Sequence, residues 1–582
     1  MVKFLLLKSM EFNSPYLTEQ IIAYIGNKRK LLPLIYKAIE NAGVCPNEKI
    51  KFFDVFSGSG VVARFAKFLG MEVFANDWEY YSYTLNRGFL DFNESEIEKI
   101  FGSRAEFESL LEKINSLPEP GEENQYIAKY YAPKEFDVEQ VDYKTERLFY
   151  TRENALAIDK IRNYIEENYS QAQQPQENPA AQKASAGQQP PDSEKIFYLL
   201  LAILLYEGAT HTNTSGVFKA FHKEFGGHGK DALSRIMKKI GLHYPVLIDS
   251  KAPVHVFQEN ANEIARKIKG IDIAYLDPPY NQHQYGSNYH LLNTIAKWDK
   301  IPEPLELNSK GVLKKKAAIR EDWVNTRSDY CYRESAEKSF EDLILNIDAR
   351  FIFISYSTDG IIPFEKMREI CTKRGRLSLV TNEYTTYRGG KQSNKRQNTN
   401  IEFILSIDTS KKSDEKSVRE IDFILRRKKA LLLFKQKYSF EKLTGIADKI
   451  LEDEKKFFIE EIEIATKDFF TLEIPDSFED LEFERLERFS DKLTLGICET
   501  KEQELEEILL RLEWKDSDKR TLIKMIPTTL NKLANKKNER SFAEWLPKIE
   551  NLEKKYPELY KLISEKILRI KEVADRRMNV VR

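Results

Sequence analysis

Short apolar runs separated by amphipathic stretches occur in two parts of the first 410 residues, one near the start and one after residue 250. The runs predict buried strands at 52–56, 73–77, 255–257, 271–277 and 350–356, with two more at 378–387 and 401–407. Apolar residues at helical spacing fill 31–39 and 61–69. Strands that alternate with helices predict a mostly parallel, doubly wound α/β sheet, which binds its ligands at the carboxyl ends of the strands, where the strand order reverses.

The alternation breaks twice, which predicts three regions in a chain of 582 residues. Residues 101–249 lack it and contain helical stretches near 153–165 and 196–206, so we expect an inserted, largely helical domain. Within it, the Gln-, Pro-, Ala- and Ser-rich segment 170–195 has too few apolar residues to pack, which predicts a disordered loop. Residues 409–582 show helical spacing and predict a separate α-helical domain, while 1–100 and 250–408 together form the sheet domain.

Composition narrows the class of protein. Hydrophobic residues make up 41% of the chain and charged residues 31%, as in soluble globular proteins. No apolar run approaches the roughly 18 residues of a membrane span, and the N-terminus lacks the pattern of a signal peptide. The four cysteines lie far apart without metal-ligand spacing. We therefore expect a cytoplasmic protein with no metal site and no membrane partner.

The formal net charge of −1 argues against a strongly cationic nucleic-acid binder, but two local clusters are basic. One is formed by Arg388, Lys391, Lys395 and Arg396 with no acid among them. The other runs from Lys519 to Arg540 and holds seven Lys or Arg against the single acid Glu539. Each cluster is either a contact surface for DNA phosphates or an ordinary solvated face.

The tetrapeptide Asp277-Pro278-Pro279-Tyr280 follows the apolar run at 271–276. Proline cannot donate to a sheet ladder, so the strand must end there, and the stiffened turn leaves its carbonyls free as acceptors. One carboxylate, backbone acceptors and one flat ring suit the binding of a planar group through its amine. The alternative is a simple strand-ending turn.

A glycine-rich turn follows the first strand, in the sequence Asp54-Val55-Phe56-Ser57-Gly58-Ser59-Gly60. Glycine lets a backbone approach a ligand closely. The next strand ends in Asp77, about 20 residues after the glycines, where doubly wound sheets place an acceptor for ribose hydroxyls. Together these residues predict a site for a nucleoside-bearing cofactor.

Two further segments complete the candidate chemistry. Tyr24-Ile25-Gly26-Asn27-Lys28 opens a helix with a glycine and cations, a setting that favours anions, although an ordinary solvated turn is the alternative. The polar residues 258–261, which include Asn260, follow a short strand and are placed to touch a cofactor's base. We also expect the polar, basic segment 310–329 to form a mobile loop over the site.

In this order these motifs make the chain resemble the Dam-type adenine-specific DNA methyltransferases, over residues 20–100 and 250–408. The resemblance implies a Rossmann-like methyltransferase fold, S-adenosylmethionine as cofactor, double-stranded DNA as substrate and a cognate restriction endonuclease as partner in a prokaryotic, nucleoid-associated setting. It implies catalytic roles for Asp277, Pro278 and Tyr280. It implies cofactor contacts from Tyr24, Gly26, Lys28, Asp54, Phe56, Gly58, Gly60, Asp77, Asn260 and Asp277. The basic cluster at 388–396 would contact DNA.

Three features of the chain are set apart by comparison with the family pattern: the insertion, the segment after residue 410 and Asn260. The insertion would be a target recognition domain, whereas residues after 410 have no counterpart in compact family members. Asn260 stands where the family often has an aspartate. The competing hypotheses are an RNA adenine methyltransferase, a methyltransferase for the amino group of cytosine, a catalytically inactive nucleic-acid-binding module, and a dinucleotide oxidoreductase. The last lacks the third fingerprint glycine and has no use for the tetrapeptide at 277–280.

Overall fold

The computed structural model describes residues 11–170, 192–227, 230–381, 401–451, 456–467, 471–515 and 517–578. Two compact units are present. The first contains the described residues up to 381 together with 402–418, and the second contains the described residues from 419 onward and Ile401. The segments 171–191 and 382–400, which hold most of the predicted disordered loop and the basic cluster Arg388, Lys391, Lys395 and Arg396, lie outside the described residues.

A seven-stranded sheet organises the first unit. Its strands are β1 (Lys51–Asp54), β2 (Glu72–Asn76), β3 (Val254–Phe257), β4 (Ile271–Leu276), β5 (Ala349–Ser357), β6 (Arg376–Thr381) and β7 (Glu402–Asp408). They lie in the order β3-β2-β1-β4-β5-β7-β6. The first five are parallel, and β7 is antiparallel to both β5 and β6. The mostly parallel α/β sheet predicted from the sequence is therefore confirmed.

The strand order places the switch point between β1 and β4. From β1 the chain passes to β2 and then β3 on one side, and it returns to β4 and β5 on the other. Asp54 at the end of β1 lies level with Ala75 of β2 and Tyr275 of β4. The carboxyl ends of these strands therefore meet at one edge, where ligands bind in this kind of sheet.

Fifteen α-helices surround this sheet in the described part of the first unit. They are α1 (Pro15–Thr18), α2 (Leu32–Asn41), α3 (Val61–Phe68), α4 (Tyr80–Phe89), α5 (Glu94–Phe101), α6 (Arg104–Asn115), α7 (Ile127–Tyr130), α8 (Arg152–Tyr169), α9 (Ser193–Thr210), α10 (Leu233–Met237), α11 (Ala261–Lys267), α12 (Tyr285–Asn288), α13 (His290–Lys297), α14 (Arg333–Asn346) and α15 (Phe364–Thr372). Helices α2 and α3 share one core with the strands, in which Ile35 and Phe65 pack with Phe52, Val73 and Ile273.

The helices of residues 101–249 share a large core with helices outside that range, beside a small cluster of their own around Leu148, Phe225 and Ile236. Leu200 and Leu204 of α9 belong to the same buried cluster as Leu85 of α4 and Ile295 of α13, which lie in the ranges assigned from sequence to the sheet domain. A Cβ on Gly88 would lie 2.3 Å from Cβ of Ala202, so α4 and α9 approach closely. The large buried cluster thus contains residues from both sides of the boundaries expected near residues 100 and 250, and the inserted domain stays a prediction.

The second unit combines helices with a small sheet. Its α-helices among the described residues are α16 (Glu415–Leu433, which begins in the first unit), α17 (Phe440–Ile446), α18 (Phe483–Leu495), α19 (Lys501–Leu512), α20 (Lys519–Leu533), α21 (Glu539–Glu550), α22 (Leu552–Lys555), α23 (Pro557–Tyr560) and α24 (Ser564–Met578). Its strands are β8 (Lys449–Ile450), β9 (Lys456–Ile459), β10 (Ile462–Lys467) and β11 (Thr471–Leu472), in the order β11-β10-β9-β8 and antiparallel throughout.

The expectation of a wholly α-helical segment after residue 409 is thus wrong at 449–472. Phe457 and Ile459 of β9 face the core, as do Ile462 and Ile464 of β10. These apolar residues alternate with polar or partly exposed ones, which is the period of a strand. The strands are only two to six residues long and lie among many Glu and Lys residues, so the surrounding helical composition concealed them.

Candidate active site

A cavity of about 420 Å³ opens at the carboxyl edge of the first unit's sheet. Its wall draws on the segments that follow four neighbouring strands: Phe56 after β1, Asp77 after β2, Asn260 after β3 and Asp277 after β4. The cavity therefore lies at the switch point predicted from the strand pattern. It brings together the glycine-rich turn and the tetrapeptide 277–280, which are more than 200 residues apart in sequence.

Asn76 fixes three of these strand ends relative to one another. Its amide nitrogen donates to the carbonyl oxygens of Val55 at 3.2 Å and Glu259 at 3.1 Å. Its side-chain oxygen accepts from the backbone N–H of Glu259 at 3.0 Å. The side chain is buried, and buried hydrogen bonds of this kind are costly to break. The ends of β1, β2 and β3 are therefore held at a set spacing under the cavity.

Asp77 holds the glycine-rich turn. One carboxylate oxygen accepts from the Gly58 N–H at 2.8 Å, and the other accepts from the Glu79 N–H at 2.9 Å. Gly58 has a φ of +52°, and a Cβ there would lie 2.6 Å from the Tyr24 ring. Burial raises the pKa of Asp77, and the backbone donors counteract that rise. Position 58 therefore requires glycine for two reasons: its φ is positive, and a side chain would collide with the Tyr24 ring.

The turn at 24–28 is anchored to the helices that follow the tetrapeptide. The Ile25 N–H donates to the Tyr289 hydroxyl at 2.8 Å, and the Tyr285 hydroxyl donates to the Ile25 carbonyl at 3.2 Å. The Tyr24 ring stacks on Tyr289 with centroids 4.9 Å apart. These two tyrosines are the residues that sequence reasoning left without a role. Tyr285 opens α12, and Tyr289 lies at the junction between α12 and α13.

Lys28 reaches the tetrapeptide directly. Its Nζ lies 3.1 Å from Oδ1 of Asp277 and 5.0 Å from the centroid of the Tyr280 ring. The Lys28 side chain is 5% exposed and that of Asp277 is 18% exposed. The turn at 24–28, assigned from sequence to the cofactor, therefore also touches the tetrapeptide.

The charges of this pair depend on burial and on each other. Burial raises the pKa of Asp277 to about 6, against the lowering effect of the Lys28 ammonium. For Lys28, burial alone would lower the pKa, but the Asp277 carboxylate and neighbouring groups hold it well above its usual range. At neutral pH Asp277 is consequently an ionised acceptor with an ammonium beside it.

Tyr280 is partly exposed and lies in the cavity wall with Pro278 and Pro279. Its ring meets that of Tyr356 edge-on at 5.7 Å, and its carbonyl accepts from the Ile361 N–H at 3.2 Å. A Cβ on Gly26 would lie 3.3 Å from the Tyr280 hydroxyl oxygen. The ring is therefore fixed in place and still available to a ligand in the cavity.

Glu79 is a further buried group that sequence reasoning missed. Its two carboxylate oxygens accept from the Thr326 hydroxyl and the Asn293 amide, each at 2.7 Å. Burial raises the pKa of Glu79 to about 7. Thr326 belongs to the predicted loop 310–329, which does lie over the cavity at this point. The signal available in the sequence was the acidic pair Asp77 and Glu79, two positions apart at a strand end.

The opposite end of the cavity is a hydrogen-bonded polar cluster. Asn260 caps α11 by accepting from the Asn262 N–H at 2.9 Å, so its side chain is engaged locally. The Tyr330 hydroxyl donates to the Asn262 side-chain oxygen at 2.8 Å, and the Asn262 amide donates to Asp342 at 2.7 Å. Phe56 meets the Tyr330 ring edge-on at 5.3 Å. This end offers an aromatic wall with fixed polar groups.

The residues predicted to form the site fall into two groups. Those in the cavity wall are Tyr24, Gly26, Phe56, Asp77, Asn260, Asp277, Pro278 and Tyr280. Lys28, Asp54, Gly58 and Gly60 are not in the wall. Of these, Lys28 contacts Asp277 and Gly58 donates to Asp77. Asp54 is 1% exposed, and neither carboxylate oxygen has a hydrogen-bond partner of normal geometry among the described residues. Burial, with the nearby Asp277 and Asp77, raises the pKa of Asp54 well above its usual range.

The described residues lack both a candidate membrane-spanning helix and a candidate metal-binding cluster. No helix within them is long and apolar enough to cross a membrane. Their His, Cys, Asp and Glu side chains form no group of three or more that could hold a metal ion.

Comparison with known proteins identifies the family. The model of the D12 class N6 adenine-specific DNA methyltransferases matches residues 24–317, which begin at Tyr24 and include both the glycine-rich turn and the tetrapeptide. The chain is 34% identical over 382 residues to the type II methyltransferase M.NlaIII of Neisseria lactamica, covering 65% of this chain and 96% of that protein.

Two other relatives agree. The type II methyltransferase M.CviAII of Paramecium bursaria Chlorella virus 1 is 27% identical, over 63% of this chain and 93% of that protein. The modification methylase LlaI of Lactococcus lactis subsp. lactis is 28% identical over 66% of this chain, which spans about half of LlaI's length. These matches confirm the resemblance drawn from the motifs. The chain belongs to the D12 class N6 adenine-specific DNA methyltransferase family, and it is an adenine-specific DNA methyltransferase.

Proposed function

We propose that this enzyme transfers a methyl group from S-adenosylmethionine to the exocyclic N6 amine of an adenine flipped out of double-stranded DNA, at a specific recognition sequence. The observation that carries the proposal is the shared cavity of Asp277, Tyr280 and the glycine-rich turn. Relatives named type II methyltransferases and modification methylases support a role in a restriction-modification system. In that system a cognate endonuclease would recognise the same sequence.

The residues present fit S-adenosylmethionine. When bound, it supplies an electrophilic methyl group on sulfur and carries an adenosine, an ammonium and a carboxylate. Asp77 and the polar cluster beyond Phe56 suit the adenosine, since they combine fixed acceptors with aromatic faces. Asp54 is buried behind the wall and lacks a hydrogen-bond partner of normal geometry among the described residues, so it would pair with the ammonium, whose charge would counteract the raised pKa of this carboxyl. Tyr24 and the amides fixed by Asp77 shape the space between them.

Asp277 and the Pro278 carbonyl would receive the target base. An adenine amine is a poor nucleophile because its lone pair is delocalised into the ring. Acceptors for its two N–H bonds favour a pyramidal nitrogen whose lone pair is free to attack. These hydrogen bonds strengthen as positive charge develops on the nitrogen, so they stabilise the transition state more than the ground state. Once the N–C bond forms and the C–S bond breaks, the amine must lose one proton, and the Asp277 carboxylate is the adjacent base.

Tyr280 would stack on the flipped base. Extrusion of a base costs a few kcal/mol. Stacking on an aromatic ring returns about 1–3 kcal/mol per base, so Tyr280 offsets only part of the cost. Phosphate contacts must contribute the remainder, and we propose that the basic cluster at 388–396 supplies some of them. The helices of residues 101–249 would add the base-specific contacts of target recognition.

Transfer of tritiated methyl from S-adenosylmethionine to duplex DNA, with duplex and single-stranded RNA tested in parallel, examines this proposal. We expect label in duplex DNA as N6-methyladenine, and none in RNA. Long-read sequencing of DNA from a methylation-deficient host that expresses the protein should show one modified motif. Labelling of RNA alone, or of cytosine, would refute the proposal.

A further inference from the structure

We infer that the second unit carries a binding surface for the phosphate backbone of double-helical DNA, centred on α20 and the turn after it. We call this the basic surface and define it by the exposed side chains of Arg520, Lys524, Lys536, Lys537 and Arg540. The inference rests on the proposed function, because DNA is the polyanion this enzyme must hold. It assigns a role to a region that the family match, which ends at residue 317, does not reach.

The first observation is the distribution of charge within this unit. Residues 441–510 carry nine Lys or Arg against 22 Asp or Glu, whereas residues 519–540 carry seven against one. Helix α20 itself contains no acid. The acidic and basic residues of this unit are thus separated along the chain, and a cationic patch of this kind attracts a polyanion.

The second observation concerns ion pairs. Most lysines and arginines elsewhere in the described part of the second unit face an acid, as Lys548 does with Glu544 and Lys561 with Glu558. None of the five side chains of the basic surface forms an ion pair with a described residue. Their charge is therefore not tied up in a close ion pair with a described acid, although Asp518 lies near enough to Lys524 for the two charges to interact.

The third observation is the fold of α20. Its opposite face packs Leu522, Ile523, Ile526 and Leu530 into the unit's core, which fixes the exposed face in place. Arg520, Lys524 and Thr528 follow one another at a spacing of four, so they lie along that exposed face. A helix of 15 residues is about 22 Å long. Duplex DNA carries about 13 phosphates over such a length, more than enough for every cation.

The fourth observation is a cavity of about 280 Å³ beside this face. Its wall holds Lys437 and Lys524, the threonines Thr521, Thr528 and Thr529, and Met525. Lysine ammonium and threonine hydroxyl groups are common donors to DNA phosphates. Lys437 pairs with Glu504, and the Thr521 hydroxyl donates to Asp518, so Lys524 and Thr528 are the side chains that this wall offers to a phosphate. A protein partner would instead call for an aromatic or large apolar centre, and Met525 is the one wholly apolar side chain in this wall. The chemistry therefore favours a phosphate backbone over an acidic protein.

Two triple variants of the full-length protein test the inference. Lys524→Gln, Lys536→Gln and Lys537→Gln together remove three charges from the basic surface. Lys548→Gln, Lys561→Gln and Lys571→Gln together remove three exposed, ion-paired charges from the same unit. Binding of a fluorescein-labelled, random-sequence duplex is measured over a range of salt concentrations, and thermal unfolding confirms that both variants fold.

We expect the first variant to bind the duplex more than about tenfold more weakly near 0.15 M salt, with the slope of log K against log salt reduced by about 2.7. The control variant should bind like the wild type. Methyl transfer at saturating DNA should be unchanged in both, because the basic surface does not touch the reacting base.

Two results would overturn the inference: equal binding of the duplex by the first variant and the wild type, or an equal loss in both variants. The outcomes also separate this inference from the proposed function. A wild-type protein that transfers no methyl to DNA refutes the proposed function. Normal methyl transfer with an unaltered salt slope in the first variant refutes the basic surface alone.

Discussion

Asp77 and Asp277 are two carboxylates in the wall of one cavity, and they are held in different ways. Both follow parallel strands that flank β1. Burial raises the pKa of both. Asp77 accepts from two backbone N–H groups, those of Gly58 and Glu79. Asp277 instead pairs with the Lys28 side chain, a flexible donor whose Nζ lies 3.1 Å from Oδ1.

This difference in donors makes Asp77 a structural acceptor and Asp277 an acceptor whose donor can be replaced. Backbone donors cannot leave without distorting the turn, so Asp77 fixes the glycine-rich turn before any ligand arrives. A lysine side chain can shift by rotation about its single bonds, so Asp277 can exchange or share its acceptor sites when an amine enters. We interpret the first as preorganisation of the cofactor site and the second as the reactive position of the base site.

Removal of Asp277 should have the largest effect. In Asp277→Ala the amine loses its charged acceptor, so we expect methyl transfer to fall by at least about 100-fold, the scale of losing one transition-state contact in an enzyme. Cofactor affinity, measured by calorimetry, should stay near the wild-type value because the Asp77 side is intact. Loss of cofactor binding in this variant would contradict the division of roles.

Removal of Asp77 should give the reverse pattern. In Asp77→Ala two buried N–H groups lose their acceptor, and each such loss costs about 1–3 kcal/mol. We expect the Kd for S-adenosylmethionine to rise by about 10- to 100-fold, while the rate at saturating cofactor changes little. Asp77→Asn keeps one acceptor oxygen and should show a smaller rise. An unchanged Kd by calorimetry would refute the assigned role.

Sequence alone located both carboxylates because each stands directly after a short apolar strand, which is a local signal. The sheet and its switch point followed from the same periodicity. The contact between Lys28 and Asp277 joins residues far apart in the chain, and no local pattern encodes it. The hydrogen bonds from Thr326 and Asn293 to Glu79 were not predicted for the same reason, because these residues are also far apart in the chain.

A substitution at Lys28 tests whether its ammonium sets the protonation of Asp277. Since the ammonium lowers the pKa of Asp277, which is about 6 in the wild type, methyl transfer should fall about tenfold per pH unit below pH 6. In Lys28→Gln that pKa rises further, so the fall should begin at higher pH and activity at pH 7 should drop by up to about tenfold.

Single-turnover rates from pH 5 to pH 9, at saturating DNA and cofactor, measure the midpoint. Lys30→Gln is the matched control, because Lys30 is exposed two positions further along the same turn. Its midpoint should equal that of the wild type. If Lys28→Gln leaves the midpoint unmoved, the ammonium does not set the protonation of Asp277.

A substitution at Gly58 should have the smallest effect of the four, and it tests the glycine-rich turn that Asp77 holds. Gly58 and Gly43 both have positive φ, +52° and +70°, and an L-residue there costs roughly 1–2 kcal/mol. A Cβ on Gly43 meets nothing within 4 Å, whereas a Cβ on Gly58 would lie 2.6 Å from the Tyr24 ring. Gly43→Ala and Gly58→Ala should therefore lose similar stability from backbone strain, but only Gly58→Ala must displace Tyr24 from the cavity wall. We expect a several-fold weaker affinity for S-adenosylmethionine in Gly58→Ala alone, by calorimetry beside thermal unfolding. Equal affinities in the two variants would mean that the position of the Tyr24 ring does not matter to the cofactor, and that Asp77 holds the glycine-rich turn for stability only.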